Sequence, residues 1–311
     1  ARGELCGLRV FLNYQSAWRI GPHAARSAAV RMSTVLETID GGTRYLEKRG
    51  IEDARRNMQI MVAHQLACTR MQLYTQFDRP LGESELVPLR EMLKRRGEGL
   101  PLQHVLGVVS FHHRDFKSDA RALIPRPETE ELAEWILSMP MSDDLKVLDM
   151  GCGSGVLGLT LAAERPSWQV TLADVSEDAL ALTKENATAL GIGNARLLHS
   201  DLFSAIEGEF DGIVANLPYV PEGERTSLSR EVMHDPALAL FGGPDGLEVI
   251  GRFVPQAFSH LKPGGWLVLE IGHDQASQVE EILRNSGLAD IEVKTDLSGV
   301  ARFPFARRPI A

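Results

Sequence analysis

Apolar positions along the chain follow two different periods, and the change between them divides it. Between residues 32 and about 100 they recur every three or four positions. Met58, Met61, Val62 and Leu66 share one helical face, with Arg55, Arg56, Gln59 and Gln65 between them. Asp40-Gly41-Gly42, Asp78-Arg79-Pro80 and Gly97-Glu98-Gly99 read as breaks. The pattern predicts a small helical domain over 32–103, with the Met and Leu stripe as its core. Residues 105–116 are instead rich in Val and Phe, and Ala122-Leu123-Ile124 runs into Pro125-Arg126-Pro127. That stretch predicts a β-hairpin linker over 104–127.

Beyond 128 short apolar runs alternate with amphipathic segments of helical length. Strands are expected at 146–150, 169–173, 195–199, 212–215 and 266–271, and helices at 128–138, 156–164, 177–190, 247–260 and 275–285. Apolar strands alternating with helices predict an α/β fold: a Rossmann-like, doubly wound, mostly parallel sheet covered on both faces, occupying 128–311. Two last extended runs, 291–295 and 302–306, have no helix between them and should form an antiparallel C-terminal hairpin at the sheet edge.

Composition narrows the function classes. The 311 residues carry a formal net charge of -9, which argues against direct, nonspecific nucleic-acid binding. No apolar run approaches the ~20 residues of a membrane span, so no membrane role is expected. Cys6, Cys68 and Cys152 form no C-x-x-C pair and no disulfide framework, the usage of reduced thiols in a cytoplasmic compartment. His112 and His113 are adjacent, so on a strand they face opposite ways and cannot readily share a metal; no metal site is expected. Residues 1–31 differ from the rest. They hold five arginines, no lysine and a single acid, Glu4. We expect an extension, disordered or foreign to the native chain, ahead of a regular start at Met32. A mitochondrial transit peptide would share that composition and would change the compartment.

The first strand of the α/β region runs through Asp149 into Gly151-Cys152-Gly153-Ser154-Gly155 and then a helix. Glycines let the backbone turn sharply against a ligand, and free amides at a helix start favour a polar or anionic group. Gly153 to Gly158 also satisfies G-x-G-x-x-G, and Asp174 ends the next strand, so a nicotinamide-dependent oxidoreductase shares this much. Asp174 or Ser176 could equally be a helix N-cap. A third acid, Asp201, follows the third strand within Ser200-Asp201-Leu202. An acid at the end of each of three successive strands resembles class I S-adenosylmethionine-dependent methyltransferases. On that resemblance Asp149 holds the methionine amino group, Asp174 the ribose hydroxyls, and Asp201 with Leu202 the adenine.

Asn216-Leu217-Pro218-Tyr219 follows the fourth strand and resembles the N-P-P-Y motif of methyltransferases acting on amide or amino nitrogen. An amide nitrogen is a poor nucleophile because its lone pair is delocalised. Two acceptors holding its N–H groups keep it aligned as it becomes tetrahedral, and the Asn216 side-chain oxygen and Leu217 carbonyl can form that pair. Pro218 stiffens the turn, and Tyr219 can pack on a flat amide or base.

From Thr34 to Ala306 the chain resembles the release factor glutamine methyltransferases. Beyond the motifs above, the likeness rests on Leu123-Ile124-Pro125-Arg126-Pro127-Glu128-Thr129-Glu130, on His234 to Leu240 with Gly242 to Leu247, and on Asp296-Leu297-Ser298-Gly299. It implies methylation of the side-chain nitrogen of the glutamine in a release factor's Gly-Gly-Gln loop, S-adenosylmethionine as donor and S-adenosylhomocysteine as product. It also implies a helical domain that helps seat the release factor, and places Arg126 and Glu128 beside the substrate with Asn216 to Tyr219. A monomer is expected. The family usually has Pro where Leu217 stands. N-L-P-Y also occurs in adenine dimethyltransferases of ribosomal RNA, so an N6-adenine methyltransferase acting on RNA or DNA is the alternative.

Overall fold

The computed structural model describes residues 33–310, so the expectations for residues 1–31 lie outside the described residues. The described residues begin with five helices, α1 (Val35–Glu47), α2 (Ala54–Gln65), α3 (Arg70–Leu73), α4 (Glu83–Gly97) and α5 (Leu102–Leu106). A hairpin follows, β1 (Val108–Phe111) with β2 (Arg114–Lys117). The α/β region then runs α6 (Pro127–Ser138), β3 (Lys146–Met150), α7 (Val156–Glu164), β4 (Gln169–Asp174), α8 (Glu177–Leu190), β5 (Ala195–His199) and β6 (Phe210–Asn216). After 3-10 turns at Glu222–Thr226 and Val232–His234 come α9 (Ala237–Leu240), α10 (Glu248–His260), β7 (Leu261–Glu270), α11 (Ala276–Asn285), β8 (Ala289–Thr295) and β9 (Ala301–Arg307).

One expected break is absent: α1 continues through Asp40-Gly41-Gly42. Its cap is strong, because Thr34 and Glu37 satisfy each other's backbone N–H groups in a capping box. Its buried positions Val35, Ile39, Gly42, Thr43 and Leu46 form one stripe against α2. Gly42 is where α2 comes closest; a Cβ there would sit 2.3 Å from the Met58 sulfur. Close packing at Gly42 and along the rest of this buried stripe outweighs the helix penalty of the two glycines, ~1 kcal/mol each; Gly41 itself is exposed and packs on nothing. A second difference lies at the hairpin. Residues 102–106 are helical, and His112 and His113 form its two-residue turn with φ of 46° and 62°, the left-handed pair a tight hairpin demands.

The main sheet has seven strands in the order β5-β4-β3-β6-β7-β9-β8, parallel through β7 and antiparallel at the β9 and β8 edge. Alternate residues serve opposite faces. Val147, Val214 and Val268 pack under α6 and α7 with Leu132, Ile136 and Leu159. Leu148, Ile213 and Leu267 pack on the other side with Ile250, Phe253 and Val254 of α10. The helical layer keeps its own core around Ile39, Met58, Met61 and Leu89. It meets the α/β region through Arg96, buried in α4, whose guanidinium binds the Asn57 side chain at 2.7 Å and pairs with Glu231 in the loop after β6.

Phe253 is fully buried, its ring 5.5 Å from that of Phe203. Phe253→Ala should therefore lower the unfolding free energy by about 3–5 kcal/mol in a urea titration.

Candidate active site

The chain order runs outward from β3 to β4 and β5, then crosses back to β6 and β7. Where that direction reverses, the loops after β3 and β6 part and leave a crevice at the strands' carboxyl ends. A cavity of about 350 Å³ occupies it. Its lining includes Asp149, Gly151, Cys152, Gly153 and Ser154 after β3, Asp174 after β4, Asp201 and Leu202 after β5, and Asn216, Leu217 and Pro218 after β6. The roof comes from Ala122, Leu123 and Pro125, and from Pro236, Leu238, Ala239 and Phe241. Gly155, Arg126, Glu128 and Tyr219 stand outside the lining.

The three strand-end acids are in different states. Asp149 is 1% exposed and accepts the Gly158 N–H at 2.8 Å. Burial pushes its carboxyl up to about 7 against that hydrogen bond, and the nearby Asp174 charge adds to the shift. No cation pairs with it among the described residues, so the cavity presents a buried carboxylate that a positive group would satisfy. Asp174 accepts the Gly153 N–H at 2.9 Å and the Ser176 N–H at 2.8 Å. Burial raises its pKa too, with those amides opposing. The N-cap of α8 is Ser176, whose hydroxyl accepts the Ala179 N–H at 3.2 Å. Asp174 is thus left to the cavity. Asp201 is exposed and pairs with Arg252 at 3.4 Å. Beside it Leu202 is held at φ 47°, a left-handed turn that costs a non-glycine residue about 1–3 kcal/mol. The Ser200 hydroxyl braces it by donating to the Leu202 carbonyl at 2.6 Å. Burial pushes the Cys152 thiol well up, and the Asp149 and Asp174 charges add to it, so Cys152 stays a thiol and is no nucleophile.

Asn216 ends β6 directly opposite Glu270 on β7. Its Nδ2 donates to the Thr129 hydroxyl at 3.1 Å, and that hydroxyl donates to Glu270 Oε2 at 2.7 Å. The Asn216 amide oxygen has no donor among the described residues. Leu217 is 4% exposed, its side chain turned down into the core. Its Cδ2 lies 3.0 Å from the point a Gly151 Cβ would occupy, and Gly151 has φ 72°, so the loop and the motif interlock only with glycine there. The leucine side chain fills space beneath the loop, and the residue is part of the cavity lining. Tyr219 is half-buried behind the motif; burial pushes its hydroxyl up to about 12, and its carbonyl accepts from Gln275 at 2.9 Å.

Arg126 acts on the roof. It binds the fully buried Asp235 carboxylate at 2.6 Å, and the same carboxylate accepts the Ile124 N–H at 3.0 Å. Glu128 faces Tyr219, Glu270 and Arg302. Thr129 and Glu270 carry no role in the sequence reading. The signal was there for Glu270, a lone charge in the apolar run 266–271.

Comparisons with known proteins bear on both halves of the chain. The PrmC N-terminal domain family model matches residues 37–107, and the methyltransferase small domain model matches residues 132–243. A release factor glutamine methyltransferase of Koribacter versatilis is 39% identical over 280 residues, 89% of this chain and 99% of that protein. One of Rhodopirellula baltica is 35% identical over 279 residues, 86% of this chain and 94% of its own. Among solved structures, a methyltransferase from Pyrococcus furiosus is similar in fold, with TM-score 0.50 at 17% identity, covering 65% of this chain and 92% of that one.

A carboxylate raised to about 7 when folded, from an ordinary ~3.9, destabilises the fold fully above pH 7 and not at all below pH ~4. Asp149→Asn should therefore stabilise the protein by about 2–4 kcal/mol at pH 8 and by far less at pH 4.5, read from urea unfolding at both.

Proposed function

The chain belongs to the release factor glutamine methyltransferase family, and on that footing we propose that it transfers a methyl group from S-adenosylmethionine to a release factor glutamine, at the side-chain nitrogen in the Gly-Gly-Gln loop. The observation that carries this reading is the Asn216 amide at the tip of β6. It is fixed on its nitrogen side, open on its oxygen side, and adjoins a cavity with acids at three strand ends.

The cavity fits the methyl donor. A buried Asp149 without a cation suits an ammonium, and Asp174 suits vicinal hydroxyls. The turn at Leu202 with Asp201 suits an adenine edge. Bound there, S-adenosylmethionine supplies a methyl group activated on a sulfonium. The protein's own part is alignment. The Asn216 oxygen and the Leu217 carbonyl accept the two N–H bonds of the substrate amide and keep its nitrogen directed at the methyl. As positive charge develops there, both acceptors are already oriented, so little reorganisation is needed. Pro218 stiffens the turn and Tyr219 supports it from behind. Arg126 holds the roof of the cavity through Asp235, and Glu128 stands at the same end of α6. The helices before residue 107 help seat the release factor. A glycine pattern shared with dinucleotide sites, Gly153 to Gly158, serves here to set the Asp149 contact through the Gly158 N–H.

Incubating the protein with labelled S-adenosylmethionine and a purified release factor, and locating the label by mass spectrometry, tests the reading. Label on the Gly-Gly-Gln glutamine supports it; label on ribosomal RNA or DNA instead would establish the adenine chemistry. Asn216→Ala should cut turnover by ~10² or more while cofactor affinity stays within a few-fold. Asp174→Ala should do the opposite, weakening cofactor binding by roughly 10–100-fold in calorimetry.

A further inference from the structure

An asparagine side chain has two nearly isosteric settings, related by exchange of its oxygen and nitrogen. Only one of them offers an acceptor to the substrate amide, so something must choose. Three elements meet at Asn216: the tip of β6 that carries it, the tip of β7 with Glu270, and the first turn of α6 with Thr129. Thr129 is 4% exposed and Glu270 2%, with Thr129 at the cavity wall and Glu270 behind it.

We infer that Thr129 and Glu270 are positioning residues, a two-link chain that fixes which end of the Asn216 amide faces the substrate. This rests on the functional reading above. An ionised carboxylate only accepts hydrogen bonds, so Glu270 takes the Thr129 proton, at 2.7 Å. The Thr129 oxygen, its proton committed, can then only accept, and it takes the Asn216 N–H at 3.1 Å. The flipped amide would set an oxygen against two buried acceptors, the Thr129 hydroxyl oxygen and the Glu270 carboxylate, an unsatisfied arrangement that is strongly disfavoured. A carboxylate that touches no substrate thereby sets the polarity of the group that does.

Protonating Glu270 makes it a donor and removes the direction from the chain. Burial holds its carboxyl up at about 7, with the Thr129 hydroxyl, the Arg302 charge on β9 and the Asn216 side chain itself pulling it down and Glu128 on α6 pushing it up. Tyr219, behind the motif, is the other titratable group that faces it. The fixed amide orientation is therefore complete above pH ~7 and is lost as pH falls through that value.

Thr129→Val keeps the shape and removes the link; Thr129→Ser keeps the hydroxyl. In methyl transfer to a release factor, Thr129→Val should lower kcat by roughly 10–100-fold, with KM and cofactor affinity within about threefold of wild type. Thr129→Ser should stay within about threefold of wild type in all three. Wild-type kcat should fall on the acid side of pH ~7, and Glu270→Gln should flatten that limb. A second reading needs no turnover. In 15N-labelled protein, the Asn216 side-chain NH2 signals should shift with an apparent pKa near 7, and should not shift in Glu270→Gln. Unshifted wild-type signals, or wild-type kcat in Thr129→Val, would overturn the inference. A wild-type protein that shows the NMR titration but leaves the glutamine unmodified would instead sink the functional reading and leave the positioning chain standing.

Discussion

Burying the Asp149, Asp174 and Glu270 carboxylates at the ends of three strands costs several kcal/mol each in lost hydration, and the surrounding fold is organised around that cost. A parallel sheet covered on both faces makes such burial possible, because its strand ends lie under loops and not in open water. Each acid is met differently. Asp174 takes two backbone amides, Glu270 a hydroxyl with an arginine charge nearby, and Asp149 a single amide. The least satisfied of them faces the cavity. A ligand cation can complete it, so part of the free energy withheld in folding becomes available for binding.

The layout of the α/β region was legible because its signals are local. Strands at 146–150 and 195–199 are apolar runs between turn residues, and the structure places β3 and β5 at those bounds. The edge hairpin followed from a missing helix. The glycine loop and the three strand-end acids also read directly, since each residue type answers a requirement of its own position. What escaped was set by distant partners. The Asp40-Gly41-Gly42 run looks like a break until α2 is packed against Gly42, and His112-His113 look like strand until the two-residue turn is counted. Thr129 stands in the sequence only as part of the Leu123 to Glu130 segment that carries the resemblance; its partners Asn216 and Glu270 are far off in sequence. Arg126 and Glu128 stand beside the substrate by resemblance alone, and the tie of Arg126 to a buried aspartate in the roof is a contact only the folded chain shows.

The stretch between Pro218 and Leu247 joins the two halves of the molecule. Arg126 holds it from the α/β side through Asp235, and Arg96 holds it from the helical layer through Glu231. Pro236, Leu238 and Phe241, which roof the cavity, follow directly after those anchors in the chain.

That same stretch is closed at its base. Val220 donates to the Leu240 carbonyl, and Gly242 donates back to Val220, while Glu222 donates to Gly243. Residues 222–230, mostly exposed, thus hang from a neck that is sealed independently of their length. Closing a longer loop on such a neck costs only about 0.6 kcal/mol per doubling. Evolution can therefore lengthen, shorten or exchange this tip to suit different partners while the chemistry beneath it is inherited unchanged.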